Sequence, residues 1–239
     1  MNRAARVAAG LARLAERFDL PAGAVGQLDR LLEVVATDPV APTAVRERVD
    51  ALDTHVADAL VALELDVVRA ATRIADLGAG AGFPGLVLAA ALPRAHVSLV
   101  ESSHRKCDFI ERAIARMCIQ NAAVVCERAE SWAAGSCAND LVTARALAPL
   151  NVIVEYAAPL LAPGGALVAW KGRRDAGEEA DAAAAAAATG LQATSVVPVL
   201  PWDGAEHLHL HVYAKVGTTP NRFPRRPGMA SKRPLRAQK

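Results

Sequence analysis

The sequence predicts an α/β fold with a mostly parallel sheet, preceded by a helical region and ended by an antiparallel hairpin. From residue 73 onward, short apolar runs alternate with helical stretches, as in parallel sheets that carry helices on both faces. The run from Glu206 to Val216 alternates strictly between polar and apolar residues, which is typical of a half-exposed antiparallel strand near a sheet edge. A chain of 239 residues is long enough to bury such a core.

The N-terminal part is predicted to be helical. Apolar spacing indicates helices over 3–18 and 22–36, and a third helix over 42–64. We therefore expect a helical region over residues 1–70, an α/β domain over 71–217 and a basic, proline-rich tail over 218–239.

In the α/β domain, strands and helices follow one another along the chain. The predicted strands are 73–77, 96–100, 122–126, 141–144, 165–170, 193–200 and 206–216, and the predicted helices are 84–92, 104–119, 150–160 and 175–188. Five parallel strands followed by a hairpin resemble the Rossmann-like sheet of class I S-adenosylmethionine-dependent methyltransferases. A likeness of fold alone is a weak argument for function.

The charge is unevenly divided along the chain. The formal net charge is only +2, from 27 Lys and Arg against 25 Asp and Glu. The last 20 residues contain seven of these bases and no acid, which leaves a net charge of −5 on residues 1–219. An acidic body with a basic tail indicates a polyanionic partner, the alternative being a solvated terminus.

The sequence disfavours a membrane segment, a redox or metal site at the cysteines and a metal site at the histidines. No stretch has the character of a membrane span or a signal peptide, so we expect a cytoplasmic protein without membrane contact. The four cysteines lack metal or redox spacing and are expected to be reduced thiols. His207, His209 and His211 would lie about 6.6–6.8 Å apart along a strand and diverge from a common ion. We interpret them as part of an exposed strand face.

The most informative stretch is the glycine-rich loop Asp76-Leu-Gly78-Ala-Gly80-Ala-Gly82-Phe-Pro-Gly85, which directly follows a predicted strand. Glycines here let the backbone turn tightly and approach a ligand. Gly80-x-Gly82-x-x-Gly85 matches the dinucleotide fingerprint, but the match begins beyond the strand end. The register acid-x-Gly78-x-Gly80-x-Gly82 begins at the strand end and resembles motif I of class I methyltransferases. Glu101, after the next strand, fits either cofactor because its carboxylate can accept from ribose hydroxyls.

Six stretches over about residues 74–235 occur in a characteristic order. They are DLGAGAGFPGLVLA (76–89), ESSHRKCDFI (101–110), RAE (128–130), ARALAPL (144–150), GGALVAWKG (164–172) and RFPRRPGMASKRPL (222–235). Together they resemble the glucose-inhibited division protein B family, the ribosomal RNA small subunit methyltransferase G enzymes. The first and last stretches are the most specific.

This resemblance implies S-adenosylmethionine-dependent methylation of a guanine N7 in 16S rRNA near the decoding site. The implied partner is 16S rRNA or the small ribosomal subunit, and we expect a monomer without a metal ion. The cofactor-binding residues implied by position are Gly78, Gly80, Phe83, Glu101 for the ribose, Ala129 and Glu130 for the adenine, and Arg145 beside the methionine part or the incoming nucleotide.

Basic residues near the expected substrate side are candidates for RNA contact. Arginines can pair with phosphates bidentately, and we expect Lys171, Arg225 and Arg226 to contact RNA. Two departures from the family pattern affect this side. The stretch VVATDPVAPTAV (34–45) replaces the usual Asn-Leu-Thr element, and Gly204-Ala-Glu-His-Leu208 lacks an arginine that relatives carry.

No catalytic acid, base or nucleophile is expected. Guanine N7 is an unprotonated acceptor at neutral pH, so its attack on a methyl group can depend on alignment alone. Two alternatives remain at this point: a Rossmann-type NAD(P)-dependent oxidoreductase, and a non-catalytic RNA-binding module that retains a methyltransferase shell.

Overall fold

The computed structural model describes residues 2–237 and contains one sheet of seven strands in the order β3-β2-β1-β4-β5-β7-β6. Strands β1 to β5 run parallel, and β7 pairs antiparallel with both β5 and β6. The strands are Arg73–Leu77 (β1), His96–Val100 (β2), Ala122–Val125 (β3), Asn139–Arg145 (β4), Leu161–Lys171 (β5), Leu191–Val199 (β6) and Leu208–Lys215 (β7). The predicted α/β fold with a terminal antiparallel hairpin is confirmed.

Helices cover both faces of the sheet, because the apolar strand residues alternate between two core layers. The helices are Arg3–Phe18 (α1), Ala24–Thr37 (α2), Arg48–Ala51 (α3), Asp58–Leu60 (α4), Asp66–Arg69 (α5), Gly85–Ala91 (α6), His104–Met117 (α7), Leu150–Ala157 (α8), Ala176–Thr189 (α9) and Met229–Lys232 (α10). Helices α8 and α9 form one layer. The N-terminal helices share the other layer with α6 and α7, so they pack onto the α/β domain.

The single helix predicted over 42–64 is wrong. Residues 42–47 are not helical, and the segment then divides into α3, a π-helical turn at Leu52–Ala57, α4 and a 3₁₀ turn at Val61–Glu64. The helix begins at Arg48 because the Glu47 side chain accepts from the Val49 and Asp50 amides as an N-cap. Arg46 is turned back onto the carbonyl oxygens that end α2, including that of Val35. His55 lies in the π turn and Asp58 directly follows it, and both contact Arg145 at the end of β4.

The exposed face predicted for the last strand is also wrong. Strand β7 lies between β5 and β6, and its side chains His211, Tyr213 and Lys215 are only 2%, 3% and 7% exposed. The alanine-rich helix α9 covers this face in the same core layer as Tyr213. The alternation of polar and apolar residues correctly predicted a strand here. It could not show that α9, a helix distant in sequence, covers the polar face of this strand.

The basic tail is folded against α8. Phe223 and Ala230 are buried, and Asn151 Nδ2 donates to the Leu235 carbonyl oxygen at 2.7 Å. Tyr156 and Ser231 hydroxyls lie 3.1 Å apart. The tail therefore forms part of the surface near the carboxyl ends of the strands.

Candidate active site

The glycine loop turns sharply at the carboxyl end of β1. The amide groups of Gly78 and Ala79 donate to the Val100 carbonyl oxygen at 2.8 and 3.2 Å, which joins the loop to the end of β2. Gly78 has φ +66°, and a Cβ there would lie 2.5 Å from Leu147 Cδ1. Only glycine therefore fits this position without moving Leu147.

Glu101 is fixed at the end of β2. Its Oε2 accepts from the Gly80 amide at 3.2 Å, and its Oε1 accepts from the Ser103 amide at 2.9 Å. Lys106 Nζ lies 3.5 Å from Oε2. A carboxylate has further lone pairs beyond these contacts, so Glu101 can still accept hydrogen bonds from a ligand.

A pocket of about 340 Å³, the glycine-loop pocket, opens at the ends of β1, β2 and β4. This volume lies within the usual range for small-molecule sites. Its lining residues include Gly78, Glu101, Ala129, Glu130, Tyr156 and Ser231. The structure thus brings together four of the residues predicted to bind the cofactor, and it adds two that sequence reasoning missed.

The tail forms one wall of the glycine-loop pocket. Besides the contribution of Ser231, the Gly228 amide donates to Glu130 Oε1 at 2.9 Å. One oxygen of the Glu130 carboxylate is therefore already used within the protein. The other is available for a ligand amino group.

Asp76, the acid of the glycine motif, does not face the pocket. It is fully buried, its Oδ2 accepts from the Gly85 amide at 3.0 Å, and its Oδ1 accepts from Thr143 Oγ1 at 2.8 Å. Burial raises the pKa of Asp76 to about 6, against the lowering effect of these hydrogen bonds. Its role is to tie the start of α6 to β1 and β4.

Arg145 joins the end of β4 to the N-terminal region. Its Nη1 donates to Asp58 Oδ2 at 2.7 Å and to the Thr54 carbonyl oxygen at 2.9 Å, and its Nη2 lies 3.2 Å from His55 Nδ1. The Arg145 guanidinium also lies 5.6 Å from the centre of the Phe83 ring. Burial raises the pKa of Asp58, although Arg145 acts in the opposite direction.

His55 completes this cluster as a neutral imidazole. Its ring stacks on Phe83 with centroids 4.5 Å apart, and its Nε2 lies 3.0 Å from Thr43 Oγ1. Burial, aided by the Arg145 charge, lowers the pKa of His55 to about 4. A neutral ring can accept from Arg145 through Nδ1 while its Nε2–H donates to Thr43.

A second pocket of about 270 Å³, the Trp170 pocket, adjoins the first. It is lined by Asp58, Arg145, Trp170, Lys171, Leu208 and His209, among others, and it shares Ala146 and Ala148 with the glycine-loop pocket. Trp170 Nε1 donates to the Asp58 carbonyl oxygen at 2.7 Å, which fixes the indole against α4. Lys171 Nζ lies 2.6 Å from Glu178 Oε1.

The remaining predicted site residues are dispersed. Phe83 is 5% exposed and lies beneath Arg145, outside the residues that line the glycine-loop pocket. Arg225 forms a bidentate ion pair with Glu155 of α8, whereas the neighbouring Arg226 is exposed. Sequence reasoning missed His55 and Asp58, although their i, i+3 spacing on an apolar helical stretch was a usable signal.

Two further findings concern metal ions and membranes. Within residues 2–237, no three His, Cys, Asp or Glu side chains are grouped so that they could hold a metal ion. No helix in the described part of the chain combines the length and the apolar character that a membrane span requires.

Comparisons with known proteins agree with this geometry. A family model described as rRNA small subunit methyltransferase G matches residues 34–205. Ribosomal RNA small subunit methyltransferase G of Rubrobacter xylanophilus is 41% identical over 197 residues, which cover 80% of this chain and 76% of the relative.

Among solved structures, a SAM dependent methyltransferase from Aquifex aeolicus aligns with a TM-score of 0.50 at 16% identity, covering 61% of this chain and 82% of that one. A variant of the 16S rRNA (adenine(1408)-N(1))-methyltransferase from Catenulisporales acidiphilia aligns with a TM-score of 0.53 at 18% identity, covering 64% and 89%. At these identities the likeness shows the fold, which is that of class I S-adenosylmethionine methyltransferases.

Proposed function

Because this chain belongs to the rRNA small subunit methyltransferase G family, we propose that it methylates N7 of a guanine in 16S rRNA, near the decoding site, with S-adenosylmethionine as methyl donor. The observation that carries the proposal is the glycine-loop pocket, because Glu101 at the end of β2 and Gly78 of the glycine loop line the same cavity. Such sites lie at the carboxyl ends of parallel strands.

The residues that line the glycine-loop pocket fit this cofactor. Glu101 is held at a strand end with lone pairs free for ribose hydroxyls, and Glu130 retains one oxygen for an adenine amino group. Gly78 and Leu147 both line this pocket, and the missing side chain of Gly78 lets Leu147 keep its place there. When bound, S-adenosylmethionine supplies an electrophilic methyl group on a sulfonium and leaves as a neutral thioether.

The chain's own contribution to the reaction is alignment. The guanine N7 lone pair needs no base to remove a proton before it attacks the methyl carbon. Holding the two reactants in line contributes on the order of 7–11 kcal/mol at best. The Trp170 pocket, which shares Ala146 and Ala148 with the glycine-loop pocket, offers the place from which a base can approach.

The oxidoreductase alternative is disfavoured by the start of α6. In a dinucleotide-binding fold, the amides at this helix terminus bind the pyrophosphate. Here the Gly85 amide is taken by the Asp76 carboxylate, whose negative charge would also repel a phosphate. The antiparallel β7 is typical of methyltransferases and is not part of the dinucleotide-binding arrangement.

Two basic residues are proposed to contact RNA, and a third predicted residue is not. We propose that Arg226 and Lys171 contact rRNA phosphates, since Arg226 is exposed and Lys171 lines the Trp170 pocket. Arg225 instead anchors the tail through Glu155.

We also propose that the protein works as a monomer in the cytoplasm, where the ribosomal substrate would be located. In the described residues, the large apolar side chains that are exposed are Val40, Val67, Leu200 and Val216; Val67 lies on α5, and the other three lie in connections between elements. Exposed apolar side chains as few as these are normal on a monomer, whereas a stable interface is marked by a contiguous apolar patch. Light scattering of the purified protein tests this part.

The direct test is methylation of small ribosomal subunits isolated from a strain that lacks the corresponding gene. The purified protein and S-adenosylmethionine are expected to introduce 7-methylguanosine at one position of 16S rRNA, detected by nucleoside mass spectrometry and mapped by chemical cleavage. The variant Glu101→Gln is expected to slow the reaction, whereas Glu111→Gln on the exposed side of α7 is not. Absence of 7-methylguanosine with the unaltered protein would refute the proposal, and binding of NAD(P) would favour the oxidoreductase.

A further inference from the structure

Arg145 lines the Trp170 pocket, and part of its guanidinium has no hydrogen-bond partner among the described residues. Its Nη1 and Nη2 groups contact Asp58, Thr54 and His55. Among residues 2–237, no side chain or backbone group accepts from its Nε, and this Nε is not among the buried atoms without a partner. The Nε–H is therefore not fully buried, and Arg145 lines the Trp170 pocket.

The chemistry of this donor suits the edge of one base. Guanine presents O6, an acceptor, beside N7, whereas adenine presents an amino group, a donor, in the same place. A donor at O6 leaves the N7 lone pair free, but it would meet the adenine amino group with like polarity.

We infer that the Trp170 pocket receives the target guanine and that Arg145, through Nε–H, selects it by donating to O6. The inference rests on the proposed function, because it names how the methyl acceptor is held there. The base would lie beside the wall formed by Ala146 and Ala148, which faces both pockets.

Asp58 and His55 act as positioning residues for this guanidinium. The Asp58 carboxylate holds Nη1 at 2.7 Å, and the Asp58 backbone is held in turn by Trp170 Nε1. His55 accepts from Nη2, is bonded to Thr43 and stacks on Phe83 of the glycine loop. With both N–H groups of Nη1 and one of Nη2 held in this way, Nε is the one guanidinium nitrogen that has no partner among the described residues. The N-terminal helical region therefore takes part in base selection by positioning Arg145.

The experiment uses small subunits that carry either the natural guanine or an adenine at the target position. The variants are Arg145→Gln, Arg145→Lys and His55→Phe, with Arg94→Gln, an exposed residue between α6 and β2, as control. Three quantities are measured: affinity for S-adenosylmethionine by calorimetry, kcat/KM on the guanine subunit, and the ratio of 7-methylguanosine to 7-methyladenosine formed on the two subunits.

We expect Arg145→Gln to reduce kcat/KM on guanine about 10- to 100-fold, the usual effect of losing a hydrogen bond from a charged donor. Its affinity for S-adenosylmethionine should stay within threefold of the unaltered protein, and its ratio of guanine to adenine methylation should fall. Arg145→Lys keeps a charge against Asp58, so it should fold and still lose selectivity. His55→Phe retains the stack on Phe83 and should lower the ratio less.

Two results would overturn the inference. One is a loss of S-adenosylmethionine affinity that accounts for the whole fall in kcat/KM, which would assign Arg145 to the cofactor. The other is an unchanged guanine-to-adenine ratio in both Arg145 variants, which would limit Arg145 to a structural role. If the unaltered protein methylated neither subunit, the proposed function itself would fail, so the two failures are distinguishable.

Discussion

The Arg225 guanidinium forms a bidentate ion pair with the Glu155 carboxylate, with Nε donating to Oε1 at 2.6 Å and Nη2 to Oε2 at 2.5 Å. The Glu155 side chain is 2% exposed and the Arg225 side chain 23%. Arg225→Ala would leave a buried carboxylate without its partner. We expect a loss of about 3–5 kcal/mol in the free energy of unfolding, measured with urea.

Two controls separate this ion pair from the general charge of the tail. Arg226→Ala removes an exposed neighbour and should change the free energy of unfolding by less than about 0.5 kcal/mol. The double variant Arg225→Met/Glu155→Leu should recover most of the lost stability, because apolar side chains replace both charges. Equal losses from Arg225→Ala and Arg226→Ala would contradict a specific anchor.

RNA binding should depend on Arg226. Each phosphate contact that is removed lowers the steepness of log K against log salt concentration by about 0.7–0.9. Arg226→Ala should therefore flatten the salt dependence of small-subunit binding by about one contact, measured by filter binding at several salt concentrations. Arg94→Ala, near the opposite ends of the strands, is the control. A slope identical to that of the unaltered protein would remove Arg226 from the RNA interface.

Gly78 should tolerate no side chain. Gly78→Ala places a Cβ at φ +66° and 2.5 Å from Leu147 Cδ1. We expect a backbone cost of about 1–2 kcal/mol, together with weaker cofactor binding because Leu147 lines the same pocket. Gly23→Ala is the matched control, since a Cβ there meets no atom within 4 Å. Thermal unfolding measures the loss of stability, and calorimetry with S-adenosylhomocysteine measures the loss of affinity. Equal losses in the two variants would contradict a requirement for glycine at position 78.

Glu101 should bind the cofactor ribose. Glu101→Gln replaces a charged acceptor by a neutral amide, and we expect cofactor affinity to fall about 10- to 100-fold. Glu111→Gln on the exposed side of α7 is the control. If adenosine and adenine lost the same factor of affinity in the Glu101 variant, the contact would not be to the ribose.

Asp76 should make stability depend on pH. Burial raises the pKa of Asp76 to about 6, so the folded protein binds this proton more tightly than the unfolded chain does. Its contribution to stability is therefore present below about pH 4 and is lost as the pH rises to about 6, by about 3 kcal/mol in all. Asp76→Asn lacks this titration. Urea unfolding from pH 4 to 7 should show the unaltered protein losing stability relative to the variant, and a constant difference would contradict the shift.

Local features of the site could be predicted from the sequence. The order of strand, glycine loop and helix is a short-range pattern, and Gly78, Glu101, Ala129 and Glu130 lie around one pocket as expected from it. Asp58 was missed because its role depends on its contact with Arg145, which lies 87 positions away in the sequence. The helix predicted over 42–64 was wrong partly because Arg46 contacts the end of α2, and this contact depends on where that end lies in space.

By itself, the sequence determined the parallel α/β sheet, the glycine loop beneath a ligand pocket and the family, because these follow from hydrophobic periods and from motifs within a few residues. Only the tertiary structure decided which charged side chains are paired within the protein and which stay exposed. Arg145 meets Asp58 from 87 positions away, and Arg225 meets Glu155 from 70 positions away. Burial and pairing depend on elements that fold together from distant parts of the chain, so a basic residue in a tail can be an anchor while its neighbour Arg226 stays exposed.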